Sequence, residues 1–304
     1  MKKYLSIALV AGLAYTGSVK AQQNVQFTQY MYNTLAVNPA YAGSRGVLNA
    51  SALGRFQWVG IDGAPVTQTV YLHSPLTNEK MGLGFNVTND KIGPLNNTYV
   101  VGSYSYTLKV NERGDKLSFG ASAGVNMLQL KGGLTTTEGN DNLFGAANRN
   151  KINPNFGFGA YYHTDKFYTG ISTPKILQPK IAGTLANSKE MRHYYWICGA
   201  IFTLNDMWKF KPTTMVKVTA NAPISIDLTA NFLFAEKLWL GAGCRVKDSF
   251  SALLGYKFTD QLQAGYAFDQ TISKLSKYNS GSHEIYLSYD FVFNKAKLKS
   301  PRYF

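Results

Sequence analysis

The chain of 304 residues carries 31 Lys and Arg against 17 Asp and Glu, a formal net charge of +14, yet only 16% of it is charged, against roughly 25% in an average soluble domain. Hydrophobic residues make up 45% and aromatics 14%, with 20 Tyr, 18 Phe and 28 Gly. This balance excludes a disordered chain, a coiled coil and a disulfide-stapled miniprotein, and it argues against an α/β enzyme, whose helices need more Ala, Leu, Glu and Lys.

At the start, MKKYLSIALVAGLAYTGSVKA sets Lys2 and Lys3 before an apolar run, Leu5 to Tyr15, and ends on small residues. That order predicts a secretory signal peptide over residues 1–21, cleaved between Ala21 and Gln22, with an apolar run too short to span a bilayer. Beyond it, no apolar stretch reaches the ~18–20 residues a transmembrane helix needs.

Residues 22–45 differ in character from everything after them. Gln26 to Leu35 is aromatic-rich and lacks a period of two; Phe27, Met31, Thr34 and Leu35 would share one face of a short helix, which Asn38-Pro39-Ala40-Tyr41-Ala42-Gly43 then breaks. The expectation is a plug-like segment folded against or into the periplasmic mouth of the domain that follows.

From residue 46 to 294 the pattern is strict alternation. Ile226, Leu228, Ala230 and Phe232 oppose Asp227, Thr229 and Asn231; Phe119, Ala121 and Ala123 oppose Ser118, Gly120 and Ser122; Ile285, Leu287 and Tyr289 oppose Glu284, Ser288 and Asp290. A helical period would scatter these residues around a cylinder. About fourteen strands follow, an all-β transmembrane outer-membrane barrel of antiparallel strands. They begin near Val47, Val66, Met81, Asn97, Lys116, Asn155, Lys166, His193, Met207, Ile224, Lys237, Ser249, Gln261 and Glu284.

Alternate connections are brief, such as 111–115, 163–165 and 259–260, while the intervening ones include 130–154, 174–192 and 270–283. Short turns on one rim and long loops on the other is how such barrels are built, with the short rim periplasmic. With an even strand number, both termini fall on that rim, including a basic tail over residues 295–304. Trp58, Tyr71, Tyr162, Phe167, Tyr194, Trp208, Trp239, Phe258, Phe268 and Phe293 sit near strand ends, where interfacial girdles are expected.

The inward face reads as a polar mixture of both signs: Arg55, Gln68, Lys109, Lys217, Asp227, Asn231, Arg245, Lys257, Glu284 and Asp290. Of these, Arg55, Lys217, Asp227, Asn231, Arg245, Lys257 and Asp290 are the candidates for contact with a partner in the lumen. The excess positive charge suits acidic partners or anionic lipid, whereas the dispersal of basic residues in an exported chain speaks against nucleic acid. Cys198 and Cys244 read as buried thiols on separate strands rather than a disulfide or a metal pair. Gly120-Ala121-Ser122-Ala123-Gly124 matches the hydrolase G-x-S-x-G, but that motif needs a strand-to-helix elbow and this one lies mid-strand. No enzyme and no cofactor or metal is expected.

The stretch QFTQYMYNTLAVNPAYAGSRG, Gln26 to Gly46, resembles the opening signature of the PorP/SprF family of type IX secretion system membrane proteins. Phe27, Gln29, Tyr30, Tyr32, Asn33, Asn38, Pro39, Tyr41 and Gly43 carry it. The ending Pro301-Arg302-Tyr303-Phe304 is similar to that family's terminal Pro-Arg-aromatic-Phe. The resemblance implies an outer-membrane barrel of the Bacteroidetes lineage that works in protein secretion and, in gliding members, in adhesin display. The partners it implies are the C-terminal sorting domain of a secreted cargo protein and the periplasmic ring and peptidoglycan-binding subunits of the machinery. The alternative left open is an outer-membrane solute channel with an N-terminal hatch.

Overall fold

The computed structural model describes residues 24–76, 80–130, 149–179, 190–220 and 222–292. The expected cleavage site at Ala21 and Gln22, the segment 295–304 with Pro301, Arg302, Tyr303 and Phe304, and the girdle residue Phe293 lie outside the described residues.

Fourteen antiparallel strands close into a barrel. In chain order they are β1 (Leu48–Phe56), β2 (Val66–Pro75), β3 (Met81–Ile92), β4 (Leu95–Lys109), β5 (Lys116–Leu130), β6 (Arg149–His163), β7 (Phe167–Thr173), β8 (His193–Ala200, resumed as Phe202–Thr203), β9 (Trp208–Thr219), β10 (Ser225–Phe234), β11 (Leu238–Arg245), β12 (Ser249–Lys257), β13 (Leu262–Thr271) and β14 (Ser282–Phe291). Each strand pairs with its sequence neighbours, and β1 closes the wall on β14 from Leu48 opposite Phe291 to Phe56 opposite His283. Closure leaves no strand edge to be satisfied by lipid, which cannot hydrogen-bond.

The interruption in β8 has a local cause. Ala200 and Ile201 fall opposite Pro212 and Lys211 of β9, and Pro212 has no N–H to give the ladder; on its other side β8 stays paired, with Ile201 N–H on Lys166 O at 2.7 Å. Pairing resumes at Phe202–Phe210 without a change of register. In β6 the six residues before Asn155 are strand, not loop, and Arg149 pairs with Leu130. Their polar composition and Pro154 concealed this extension. Pro154 is tolerated because β7 reaches β6 only from Phe158 onward, so its missing N–H faces no partner strand.

The burial pattern separates two faces. Phe119, Phe158, Ile171, Phe250 and Ile285 point outward and are exposed, as a lipid belt requires, while alternating positions such as Ser118, Thr229 and Ser288 are buried inside. Five positions depart from the expected sides, Lys257 at the short-turn rim among them. Gln68 is exposed on the outer face near the long-loop end of β2, between Val66 and Val70, because its inward neighbours are Thr67 and Thr69. Tyr71 and Trp239 are not girdle residues: Tyr71 is buried in the lumen and Trp239 points inward to within 6.5 Å of Tyr32. Lys109 stays on the short-turn rim, exposed. Cys198 and Cys244 are free thiols on the outer face of β8 and β11, half-covered by neighbouring strand side chains rather than buried in a core.

The core of the molecule is inside the barrel. Residues 24–45 run through the lumen, and Phe27, Tyr30, Met31, Leu35, Val37, Ala40 and Tyr41 pack there against inward Leu53, Tyr71, Tyr161, Tyr168, Tyr195, Ile197, Met215 and Tyr286. The helix in this segment is only α1 (Thr34–Val37); Phe27 and Met31 are buried through tight turns, with Tyr32 N–H on Gln29 O and Asn33 N–H on Tyr30 O. A wide lumen lined by many aromatic rings leaves apolar area that a four-residue helix and irregular turns cover better than one straight helix.

Candidate functional site

The site is the interface between the lumen wall and its own N-terminal segment. The segment is not confined to the short-turn mouth. At one end Asn24 lies in the long-loop half: its N–H meets His193 Nε2 at 3.5 Å, and its Oδ1 accepts from Lys175 Nζ at 3.3 Å. Lys175 also bridges Glu190 at 3.0 Å and sits 3.3 Å over the Tyr99 ring; burial pulls its pKa down, and Glu190 opposes that pull. At the other end Gly43 N–H donates to His73 Nδ1 at 3.1 Å beside the short-turn rim.

Between these ends two fixtures hold the segment. The first is ionic. Arg55 on β1 is 2% exposed and bridges Asp269 on β13 at 2.6 Å and Glu284 on β14 at 3.0 Å. The two oxygens of Glu284 accept the N–H groups of Thr28 (2.9 Å) and Gln29 (2.7 Å), while Thr28 Oγ1 accepts from Arg55 and donates to Asp269 at 2.5 Å. Buried charges are tolerated only when paired and hydrogen-bonded, and here the plug backbone supplies donors that complete the cluster. Arg55 and Glu284 face one another across the closing pair of strands, so the same cluster joins the barrel seam to the plug.

The second fixture is steric. The turn Pro39–Tyr41 lies against inward glycines of β5 and β6. A Cβ at Gly120 would collide with Ala40 N and Pro39 C and stand 2.5 Å from Ala40 Cα; one at Gly159 would collide with the Asn38 amide. Asn38 is fully buried: its Oδ1 accepts from Ala40 N–H and its Nδ2 donates to Ala160 O, both at 3.0 Å. Asn38→Ala therefore removes a turn cap and a wall contact. It is expected to weaken docking of the segment by about 1–2 kcal/mol, read as faster amide exchange over residues 24–45 with the barrel strands unchanged.

The remaining motif residues take up places in the same interface. Tyr32 stacks on Tyr286 at 5.1 Å, and its carbonyl accepts from the Tyr71 hydroxyl; Tyr30 OH meets Thr213 Oγ1 at 2.9 Å; Tyr41 packs edge-on to Tyr161 at 5.5 Å. Gln29 and Asn33 are buried, Pro39 opens the 3-10 turn, and Gly43 has φ +73° with its would-be Cβ 2.9 Å from Gly82 Cα. Only glycine fits there.

The charged lumen candidates separate by level. Arg55, Lys217, Asp227 and Arg245 lie in the long-loop half, where Arg245 bridges Asp227 at 2.6 Å. Asn231 is buried against Gly241 at mid-wall. Asp290 is near the short-turn rim, paired with Arg45 at 3.0 Å and accepting from Asn49 at 2.7 Å. Lys257 is not in the lumen interior; it is half-exposed at the short-turn rim, 3.1 Å from Asp260, because the strand ends there. Sequence reasoning did not single out Asp269, Lys211, Tyr286 or the glycine wall. Lys211, 1% exposed, lies within 6 Å of both the Tyr32 and Trp239 rings. Glycine recurring at inward positions of neighbouring strands was the available signal. Ser122 remains in the β5 ladder opposite Gly157, so it forms no nucleophile elbow.

Beside the segment a cavity of about 90 Å³ remains, lined on one side by Val25, Phe27 and Leu35 and on the other by Asn86, Ser103 and Asn126.

A family model described as type IX secretion system membrane protein PorP/SprF matches residues 19–289. No curated protein matches the sequence. Among solved structures, the Acinetobacter baumannii outer membrane protein Omp33 is similar at 9% identity and a TM-score of 0.48, covering 81% of this chain and 98% of that one. The KdgM porin is similar at 14% identity and a TM-score of 0.40, covering 80% and 99%; the NanC porin, at 10% and 0.38, covers 81% and 99%.

Proposed function

Because the chain belongs to the PorP/SprF family of type IX secretion system membrane proteins, we propose that this outer-membrane barrel binds a specific secreted protein, such as a gliding adhesin, through that cargo's C-terminal sorting domain and helps to export it or anchor it at the surface. The observation that supports this reading is the filled lumen. The polar wall is engaged by the chain's own residues 24–45, through the Arg55 cluster and the glycine wall, which leaves the long-loop rim as the surface free to receive a protein. In this reading the short-turn rim faces the periplasm, residues 1–21 are a signal peptide removed on export, residues 22–45 are a plug-like segment, and residues 295–304 are a periplasmic tail. The machinery's periplasmic ring and peptidoglycan-binding subunits are then met on the short-turn side.

Deleting residues 134–148 tests the long-loop rim and leaves β6 whole from Arg149. The barrel is expected to insert and to show heat-modifiable mobility as before, while surface display of its cargo falls. Unchanged display removes that loop from the mechanism. Purification from the native organism followed by mass spectrometry names the cargo.

The second reading, a solute channel with an N-terminal hatch, is favoured by the cavity left beside the segment. Planar-bilayer recording separates the two: a silent barrel supports docking, a steady open conductance supports transport.

A further inference from the structure

We infer that the long-loop rim over β11–β13 is a seat for phosphate-bearing lipid headgroups, formed by Lys247, Lys274 and Lys277 above a short apolar ledge. The loop between β13 and β14 contains one turn of 3-10 helix, Lys274–Lys277. Residues three apart eclipse one another in such a helix, so Lys274 and Lys277 share one edge while Leu275 and Tyr278 share another. Both lysines are exposed, as are Leu275 at 40% and Tyr278 at 71%. The turn is firmly held: Asn279 donates to Leu275 O and accepts from Thr271 and from Gly281 N–H, and Ser280 and Gly281 bond Val59 of the β1–β2 connection.

Lys247 joins from the next connection, where Ile272 N–H donates to Asp248 O at 2.9 Å. Lys247 occupies a left-handed backbone position, φ +65°, that ordinarily favours Gly or Asn. Asp248, the nearest carboxylate in sequence, is 3.3 Å from Arg245, and among the described residues no ion pair engages the three lysines. Directly below, Val246, Phe250 and Ile272 are exposed while their sequence neighbours Arg245, Ser249 and Thr271 are buried in the lumen wall, so the outward face under the lysines is apolar apart from Gln270, which stands opposite Phe250. Cations at the upper edge of a lipid-facing belt stand at headgroup height, and a rigid Leu/Tyr ledge beside them fits the top of the acyl layer. Anionic phosphate on a lipid satisfies both features at once.

The test uses full-length protein in detergent with lipid A and with its dephosphorylated form, and lipid retention is read by native mass spectrometry. Lys247→Gln/Lys274→Gln/Lys277→Gln is expected to lower retention of the phosphorylated form about 10- to 100-fold, with the dephosphorylated form unchanged. Lys109→Gln/Lys166→Gln on the opposite rim serves as the control and should have no effect. Equal retention by the triple variant, or equal loss in the control, overturns the seat. So does a triple variant that keeps lipid but loses a co-purifying envelope protein, which would assign the patch to a protein partner. Should the triple variant fail to fold, the emission that Tyr278→Trp adds to that of the four native Trp, in proteoliposomes of brominated phosphatidylglycerol, reads the ledge. Quenched emission is expected there, and unquenched emission overturns the proposal.

Discussion

Gly120→Leu is expected to eject the N-terminal segment from a barrel that still assembles. Gly120 pairs in β5 with Ser105 and Gly159, and a larger residue does not weaken the ladder, since glycine is a poor strand former. Its side chain, however, enters space held by the backbone of Pro39 and Ala40, which no rotamer change can vacate. Overpacking of this kind costs about 1–3 kcal/mol. Amide protection over residues 24–45 should therefore fall about 10- to 100-fold, since about 1.4 kcal/mol is tenfold. The second readout is conductance: a bilayer silent with the parent protein should show open steps with the variant. Protected amides together with an unchanged bilayer would mean that the wall yields instead of the plug.

Glu284→Ala is expected to be the most damaging single charge removal. Glu284 is fully buried; its loss leaves Arg55 with Asp269 as its one carboxylate, beside Thr28 Oγ1, and strips the acceptors from two plug N–H groups. Breaking a buried pair by deleting one partner costs about 3–5 kcal/mol, and the orphaned donors add to that. The denaturant midpoint of the refolded barrel should drop accordingly, with residues 24–30 losing protection first. Glu284→Gln keeps an acceptor for the backbone and should recover part of the loss. Arg55→Met paired with Glu284→Met removes both charges together and should be milder than Glu284→Ala. If Glu284→Ala were neutral, the cluster would be incidental to the seam and to the plug alike.

These two fixtures were unequally legible. Inward Arg55 and Glu284 could be read from alternation, since charges at lumen parity in a lipid-facing strand have nowhere else to go. Asp269 has the same parity and the same chemistry, but its place in the cluster depends on β13 lying beside β14 at one particular height, which composition does not carry. The motif residues Asn38, Pro39 and Tyr41 could be seen as a break in pattern. That Asn38 caps the turn and ties it to Ala160 could not, because 122 positions separate the partners.

The period of two together with the alternation of short and long connections determined the barrel: a wall with lipid on one side and a wet or filled interior on the other must alternate, and the strand number and the division into a short-turn and a long-loop rim followed from these two local patterns. Tertiary structure decided what fills the lumen and which exceptions belong to it. Tyr71 and Trp239 read as girdle aromatics because lipid and a plug both welcome a ring, and only the height and facing of the segment 24–45 distinguish the two solvents. Gln68, polar yet outward near the rim, is the converse case. Alternation records that two environments exist, and contacts between distant parts of the chain settle what each environment is made of.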